Sequence, residues 1–300
     1  AIKYAYEIKS ILTNNDIYKL IPQSYVYGTF PVYFYTILTM IFSKTLGILQ
    51  IGFPKMDLYI FMRVINAVIS FALIPVFYLL VKELGLTKRP LITIAGVFLM
   101  AFNWKLIVHA HYLNHDIIIT LLILLANLFF YMYLQQETKV HIKALEEATA
   151  HAVGRGASQK YHASGENRTG DTANTLLFAL FFGLAVSTKI TVLLTFPIYL
   201  AVFLRHKNFK NLLASIFIVI GVFIVTNPFA WLFMGDFLGR LLEMQTKEGG
   251  MVFDSVNYSP FKYLEALSWI LTLPVLLLSL LGVGKTLVVG NNKSLGNEAT

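Results

Sequence analysis

Long apolar runs recur along the chain, and they restrict the folds that it can adopt. Residues 117–134 contain no charged side chain, and residues 58–81 contain only Arg63. A helix of about 20 apolar residues is long enough to cross the hydrocarbon core of a bilayer. Only 13% of the residues are charged, about half the share in a soluble domain. The sequence therefore predicts an all-α fold, a polytopic transmembrane helix bundle.

We expect about seven spans, together with juxtamembrane helices. A single helix over 175–204 would be about 45 Å long, well beyond the roughly 30 Å core. The polar run Ser187-Thr188-Lys189 interrupts that segment, so two shorter spans that meet at Lys189 are predicted. The predicted spans are 58–81, 91–108, 117–134, the two within 175–204, 212–226 and 267–289.

The remaining segments divide the chain into three regions. Residues 1–57 form an external juxtamembrane region, 58–289 the transmembrane bundle and 290–300 a polar tail. Two long polar segments lie inside the bundle region. Residues 135–174 form a cytoplasmic loop that is rich in Gly, Ser and Asn toward its end, and 227–266 form an external loop with interfacial helices.

Basic residues set the orientation of the spans. Thirteen Lys and Arg residues lie in 82–89, 139–168, 205–210 and 285–293, which alternating crossings place on one side. Of the basic residues that follow Arg63, the other five lie on the opposite side. Cytoplasmic loops carry the excess of Lys and Arg, so the larger group is assigned to the cytoplasm. The net charge of +8 then reflects topology, and no nucleic-acid partner is expected.

A polar stretch with three histidines and Asp116 lies between two predicted spans, at 108–116. An acidic residue beside hydrocarbon is costly, and so it indicates a functional site. The alternative is that Asp116 caps the helix 117–134. His111 and His115 are four residues apart and share a face of a helix. With Asp116 they could hold a divalent ion such as Mg²⁺ or Mn²⁺; the alternative is ordinary interfacial histidines.

Five residues are candidates for substrate binding: His111 of the polar stretch, together with Lys189, Arg63, Arg240 and Gln245. Lys189 is a lone cation in an apolar run, placed either to meet a phosphate or to extend to the interface. Arg63 begins a span and is either a weaker phosphate ligand or an anchor. Arg240 and Gln245 lie in the charged segment of the external loop, which is either a substrate-binding loop or a solvated one. The absence of cysteine excludes disulfides and thiolate chemistry.

The order of several motifs resembles the lipid-carrier-dependent glycosyltransferases of the GT-C fold, specifically the dolichyl-phosphate-mannose–protein mannosyltransferase relatives. The stretches that carry the resemblance are Asn15-Asp16-Ile17-Tyr18, Tyr27 to Tyr33 with its Gly-Thr-Phe-Pro core, Arg63 with its span and Lys88-Arg89, His109 to Asp116, Gly183 to Lys189, Asn227-Pro228-Phe229, Gln245 and Gly249-Gly250. Each motif is weak alone, and the ordered set is more specific.

The resemblance implies an inverting transfer of a sugar from a polyprenyl-phosphate donor to a protein or glycolipid acceptor at the external face. An acceptor hydroxyl would attack the anomeric carbon while the phosphate leaves. Asp116 would be the acidic residue of the second external motif, and Lys189 would bind the phosphate. The resemblance also implies that 31–50 is juxtamembrane. The first acidic motif, with the catalytic base, is expected just before Ala1 and is missing from the chain.

Two other functions compete with a glycosyltransferase. A transporter would use a broken helix and a membrane-buried acid, but should carry polar residues near mid-membrane, whereas here they cluster at one face. A non-catalytic membrane scaffold would tolerate loss of both Asp116 and Lys189. All three functions place the chain in a membrane. For a glycosyltransferase of the cell envelope, we expect the plasma membrane of a prokaryote.

Overall fold

The chain folds into helices that lie side by side, as the apolar runs require. The structure is a computed structural model, and it describes residues 28–35, 37–38, 41, 55–85, 90–103, 106–108, 115–152 and 166–243. No strand occurs among these residues, and so the predicted all-α fold is confirmed. The described residues up to Leu242 belong to one compact unit, Ala1–Leu242, and a second unit comprises Glu243–Thr300.

Eight α-helices can be labelled in chain order. They are α1 Lys55–Glu83, α2 Pro90–Ala101, α3 His115–Ala152, α4 Glu166–Thr188, α5 Phe196–Arg205, α6 Phe209–Thr226, α7 Pro228–Leu232 and α8 Met234–Glu243. A short helical segment at residues 30–35 precedes them.

Three of the described helices are long and apolar enough to cross a membrane. They are Ile60–Glu83, His115–Lys139 and Phe209–Thr226, which correspond to the predicted spans 58–81, 117–134 and 212–226. Three shorter apolar helices accompany them. The predicted count of seven spans stays a prediction, and the last of these, 267–289, lies outside the described residues.

The predicted span 91–108 is interrupted, which corrects the expectation from the sequence. Helix α2 ends at Ala101, after 12 residues or about 18 Å. The side chain of Asn103 accepts a hydrogen bond from the backbone N–H of Leu106 at 3.4 Å. Asn competes for backbone groups in this way and favours helix starts, so Asn103 caps a new helical segment that includes 106–108.

The segment 135–174, predicted as a loop, is helical at both of its ends. Helix α3 continues to Ala152 and α4 already begins at Glu166, so 166–174 is not the flexible loop expected from its composition. Polar side chains hold these extensions in place. Gln135 Nε2 donates to the Glu83 carbonyl at 2.6 Å, Asn174 Nδ2 donates to Gln136 Oε1 at 2.9 Å, and Asn208 Nδ2 donates to Glu137 Oε1.

The predicted break at Lys189 is confirmed. Helix α4 ends at Thr188, and Lys189 is extended, with φ −154° and ψ 114°. A 3₁₀ helix, Ile190–Thr195, follows and leads into α5. The apolar segment 175–204 is therefore two separate helical pieces.

Buried aromatic rings join α3, α4 and α5. They are Phe130, Tyr133, Phe178, Phe182, Tyr199 and Phe203. The rings of Phe130, Phe178 and Tyr199 all contact one another, and each pair of centroids is 4.9 Å apart. Tyr199 also donates a hydrogen bond to Asn127 Oδ1 at 2.9 Å. Such ring contacts stabilise beyond the area that they bury, and they fix α4 against α3.

Helix α4 lies close against α6 at Gly183. A Cβ added there would lie 3.0 Å from Val222 Cβ and 3.2 Å from Val219 Cα. Small residues allow this kind of close approach between membrane helices, where van der Waals packing drives association.

We expect the substitution Gly183→Val to separate α4 from α6 and to lower the free energy of unfolding by about 1–3 kcal/mol, the usual cost of overpacking. Gly221→Val is the matched control, because a Cβ at Gly221 meets nothing within 4 Å. Thermal unfolding in detergent is the measurement. Equal losses in the two variants would contradict the close contact at Gly183.

Candidate active site

The structure brings Asp116 and Lys189 together at one end of the bundle. The Lys189 Nζ atom lies 3.8 Å from Asp116 Oδ1. Asp116 is in the first turn of α3, and Lys189 directly follows the last residue of α4. Because α3 and α4 run in opposite directions, the start of one meets the end of the other, and two residues 73 positions apart become neighbours.

Helix α3 explains where the carboxylate sits. The helix begins at His115, two residues before the predicted start at Ile117. Asp116 therefore lies inside the first turn, where a negative charge suits the positive end of the helix dipole. The backbone carbonyl of Asp116 accepts a hydrogen bond from Thr120 Oγ1 at 2.6 Å. The position of the residue is fixed by the helix, while its carboxylate reaches toward Lys189.

The contact between the two charges is loose and open to solvent. The side chain of Lys189 is 37% exposed and that of Asp116 is 44% exposed. Strong charge-assisted hydrogen bonds are shorter, about 2.7–2.9 Å, and exposed ion pairs contribute only about 0–1 kcal/mol. An anionic group of a substrate can therefore compete with Asp116 for the ammonium at little energetic cost.

A second group of polar contacts surrounds the end of α4. The backbone N–H of Gly28 donates to the Thr188 carbonyl at 2.9 Å. Asn227 Oδ1 accepts from the backbone N–H of Thr29 at 2.8 Å. The single hydroxyl hydrogen of Thr29 is directed to the Thr226 carbonyl at 2.5 Å, with Asn227 Oδ1 as a second, longer neighbour at 2.9 Å. Both Thr29 and Asn227 are 2% exposed. The segment 28–29 thus links the residue before Lys189 to the residue after α6.

The Gly at position 28 is required by this close approach. A Cβ on Gly28 would lie 1.7 Å from the Ser187 carbonyl oxygen, far inside van der Waals contact. Any other residue at this position would force the two backbone segments apart. The Gly-Thr-Phe-Pro, Ser-Thr-Lys and Asn-Pro-Phe motifs, far apart in the chain, therefore meet at the same end of the bundle.

Of the other predicted binding residues, only Arg63 has a described side chain. Arg63 is half-buried in α1, toward the end opposite Glu83. Arg240 belongs to α8, and its side chain is not among those described. His111 and Gln245 lie outside the described residues. The binding roles of these four residues stay predictions.

A metal site at His115 and Asp116 also stays a prediction. His115 is half-buried at the start of α3. Within the described part of the chain, no group of three or more His, Asp or Glu side chains is arranged to hold a metal ion. His109 and His111, which belong to the same stretch, lie outside that part. Two adjacent ligands do not make a complete site for Mg²⁺ or Mn²⁺.

The sequence interpretation missed one buried polar pair near the start of the bundle. The hydroxyl of Tyr35 donates to Asn66 Oδ1 at 3.0 Å, and Asn66 is fully buried in α1. The sequence did contain a feature that could have predicted this contact, an amide side chain inside an apolar span. Polar residues at such positions are rare and need a partner. The contact ties segment 30–35 to α1.

Comparison with known proteins gives one match. The model of the dolichyl-phosphate-mannose-protein mannosyltransferase family matches residues 44–164. That stretch is about two fifths of the chain; it includes Asp116 and stops before Lys189. The resemblance noted from the motifs is confirmed over these residues. No curated protein and no solved structure matches the chain.

We expect removal of either charge to have little effect on stability. Asp116→Asn and Lys189→Met should each lower the free energy of unfolding by less than about 1 kcal/mol, because the pair is exposed. Asn227→Ala is the contrasting variant: it leaves the buried backbone N–H of Thr29 without its acceptor and should cost about 1–3 kcal/mol. Thermal unfolding of the purified protein measures both. A large loss in the charge variants would make the pair structural.

Proposed function

We propose that this protein is an integral membrane glycosyltransferase that transfers a sugar from a polyprenyl-phosphate donor to an acceptor at the external face, with inversion at the anomeric carbon. The family match supports the coarser statement, a membrane glycosyltransferase with a polyprenyl-phosphate sugar donor. The single observation that carries the proposed site is the contact between Lys189 and Asp116.

The distribution of basic residues supports the external location. Helices α1 and α3 meet where Gln135 binds the Glu83 carbonyl, and α3 meets the start of α6 where Glu137 binds Asn208. The end of the bundle marked by these contacts carries the described basic residues Lys82, Lys139, Arg205, Lys207 and Lys210. An excess of Lys and Arg marks the cytoplasmic side. The Asp116–Lys189 end is opposite, and so it is assigned to the outside.

The two charged groups suit the two halves of the transfer. When the bond between the anomeric carbon and the donor phosphate oxygen breaks, negative charge grows on that phosphate. The ammonium of Lys189 stabilises this charge. Asp116 forms a hydrogen bond to the attacking acceptor hydroxyl and orients it toward the anomeric carbon, and a carboxylate base accepts the proton of that hydroxyl. The new glycosidic bond forms on the face of the sugar opposite the leaving phosphate.

The acceptor is assigned by analogy with the matched family. That family's description names a protein acceptor and a dolichyl-phosphate-mannose donor. A protein acceptor and a mannose-like hexose are therefore the first substrates to test. A transporter is less well supported, because Lys189 and Asp116 lie at helix ends, whereas transporter sites lie near the bilayer midplane.

We expect Asp116→Asn and Lys189→Ala each to reduce sugar transfer by at least a hundredfold, since loss of one preorganised charge-stabilising group costs about 10²–10³ in rate. Transfer of radiolabelled hexose from a polyprenyl-phosphate donor to a peptide acceptor, with the protein in membranes, is the measurement.

The matched controls are Asp236→Asn and Lys210→Ala, which remove exposed charges of the same kinds elsewhere. Both should transfer sugar at the unmodified rate. Unreduced transfer by the Asp116→Asn or Lys189→Ala protein would exclude that residue from the proposed site.

The proposed orientation can be tested separately, because the chain contains no cysteine. We expect a single cysteine at exposed Asp236 to react with a membrane-impermeant maleimide in intact cells, and one at exposed Lys210 to react only after the membrane is permeabilised. The physical reason is the bias of Lys and Arg toward the cytoplasm. The reverse labelling pattern would place the Asp116–Lys189 end inside.

A further inference from the structure

The break at Lys189 leaves a backbone carbonyl without its helical partner. In an uninterrupted α-helix, the Thr188 carbonyl would accept a hydrogen bond from the N–H of Val192. Here that N–H donates to the Lys189 carbonyl instead, at 3.1 Å. The Thr188 carbonyl accepts from the N–H of Gly28, at 2.9 Å. The end of α4 is therefore capped by a residue that comes 160 positions earlier in the chain.

Helix α6 ends in the same way and uses the next residue of the same segment. The Thr226 carbonyl would accept from the N–H of Ala230 in a continuous helix. That N–H donates to the Asn227 carbonyl instead, at 3.1 Å. The hydroxyl of Thr29 donates to the Thr226 carbonyl at 2.5 Å. We call Gly28 and Thr29 the double cap, because adjacent residues cap two helices.

The environment makes the double cap energetically important. Thr188 is fully buried, and at the end of α6 Thr226 is half-buried beside Asn227, which is 2% exposed, so little water can replace a lost donor at these helix ends. A buried carbonyl without a partner is expensive, and more so beside a membrane. The two breaks in helical geometry, at Lys189 and at Asn227, are therefore stable only while Gly28 and Thr29 remain docked.

The backbone break sets where the Lys189 side chain starts. Lys189 directly follows Thr188, and its backbone N–H still donates to Ala185 at 3.0 Å, while its own φ and ψ are extended. Any shift of the Thr188 carbonyl moves the Lys189 Cα with it. The Nζ atom is at present 3.8 Å from Asp116.

We propose that Gly28 and Thr29 are positioning residues for the proposed transfer: by capping α4 and α6 together, they hold the break at Lys189 in the geometry that keeps its ammonium beside Asp116. The catalytic part of this inference rests on the proposed function; the structural part does not. Neither residue needs to touch the substrate for the effect to operate.

The position of the break can be measured without any assay of sugar transfer. Because the chain contains no cysteine, spin labels can be attached at Thr191→Cys, in the 3₁₀ helix after Lys189, and at Phe209→Cys, the first residue of α6. Both positions are exposed. Thr191 lies at the end of the bundle where α6 ends, and Phe209 lies where α6 begins. Helix α6 has 18 residues and is about 27 Å long, so the distance between the labels is in the range that double electron–electron resonance measures.

Thr29→Val and Thr29→Ser form the decisive pair of variants. Thr29→Val removes the hydroxyl and keeps the shape, and we expect at least a twofold broadening of the distance distribution between the labels. Thr29→Ser keeps the hydroxyl, and we expect the unmodified distribution. In the protein without labels, transfer by Thr29→Val should fall about tenfold, as expected for one buried hydrogen bond, and Thr29→Ser should restore most of it.

Gly28→Ala is a second, independent variant. A methyl group there overlaps the Ser187 carbonyl, whereas Gly221→Ala adds a methyl group that meets nothing within 4 Å. We expect the distance distribution to broaden in Gly28→Ala alone. A monodisperse profile in size-exclusion chromatography is the criterion for including a variant, so if one substitution prevents folding the other still tests the cap.

Two results would overturn the double cap: unchanged distributions in the folded Thr29→Val or Gly28→Ala proteins, or equal broadening in Thr29→Val and Thr29→Ser, which would make the methyl group responsible. The spectroscopic result does not require an active enzyme. If Lys189→Ala keeps full transfer while Thr29→Val broadens the distribution, the catalytic part of this inference fails and the structural role of the double cap is supported. If the unmodified protein transfers no sugar while Thr29→Val broadens the distribution, the proposed function fails and the structural role still stands.

Discussion

A backbone carbonyl at the end of a helix must find a donor, and beside a membrane the donor has to come from the protein itself. The structure depends on this constraint at Thr188 and Thr226. Both carbonyls end a helix in the interior of one bundle end, and both accept from the segment 28–29. The chain before the first span is thereby tied to two helices that come much later, and the helix ends on which the candidate site is built are held together.

This arrangement separates what stabilises the protein from what is available for chemistry. Ring packing around Phe130, the close approach at Gly183 and the buried hydrogen bonds of Thr29 hold the helices. The Lys189–Asp116 contact is partly exposed and long for an ion pair, so it contributes little to stability. A pair of opposite charges that the fold fixes in place but does not need for stability is well suited to bind a substrate with a phosphate and a hydroxyl group.

Several features could be predicted from local sequence because their cause is local. The apolar length of residues 117–134 requires a membrane helix, and the polar residues at 187–189 cannot continue through a bilayer core, so the break at Lys189 was foreseen. The interruption at Asn103 was not, since an Asn in an apolar run predicts either a buried polar contact or a helix start. The helical structure of 166–174 was also missed, because Asn174 becomes helix-stabilising only through its partner on another helix.

The composition and length of single segments predict an all-α membrane protein, the end of α4, and two costly charges in apolar surroundings, Asp116 and Lys189. Those properties follow from the composition of single segments and from the fixed thickness of a bilayer. Only the tertiary structure decided that Asp116 lies beside Lys189 and that Gly28 and Thr29 cap α4 and α6. Such contacts depend on the antiparallel packing of α3 with α4 and on hydrogen bonds between residues up to 198 positions apart, which no periodicity in the sequence encodes.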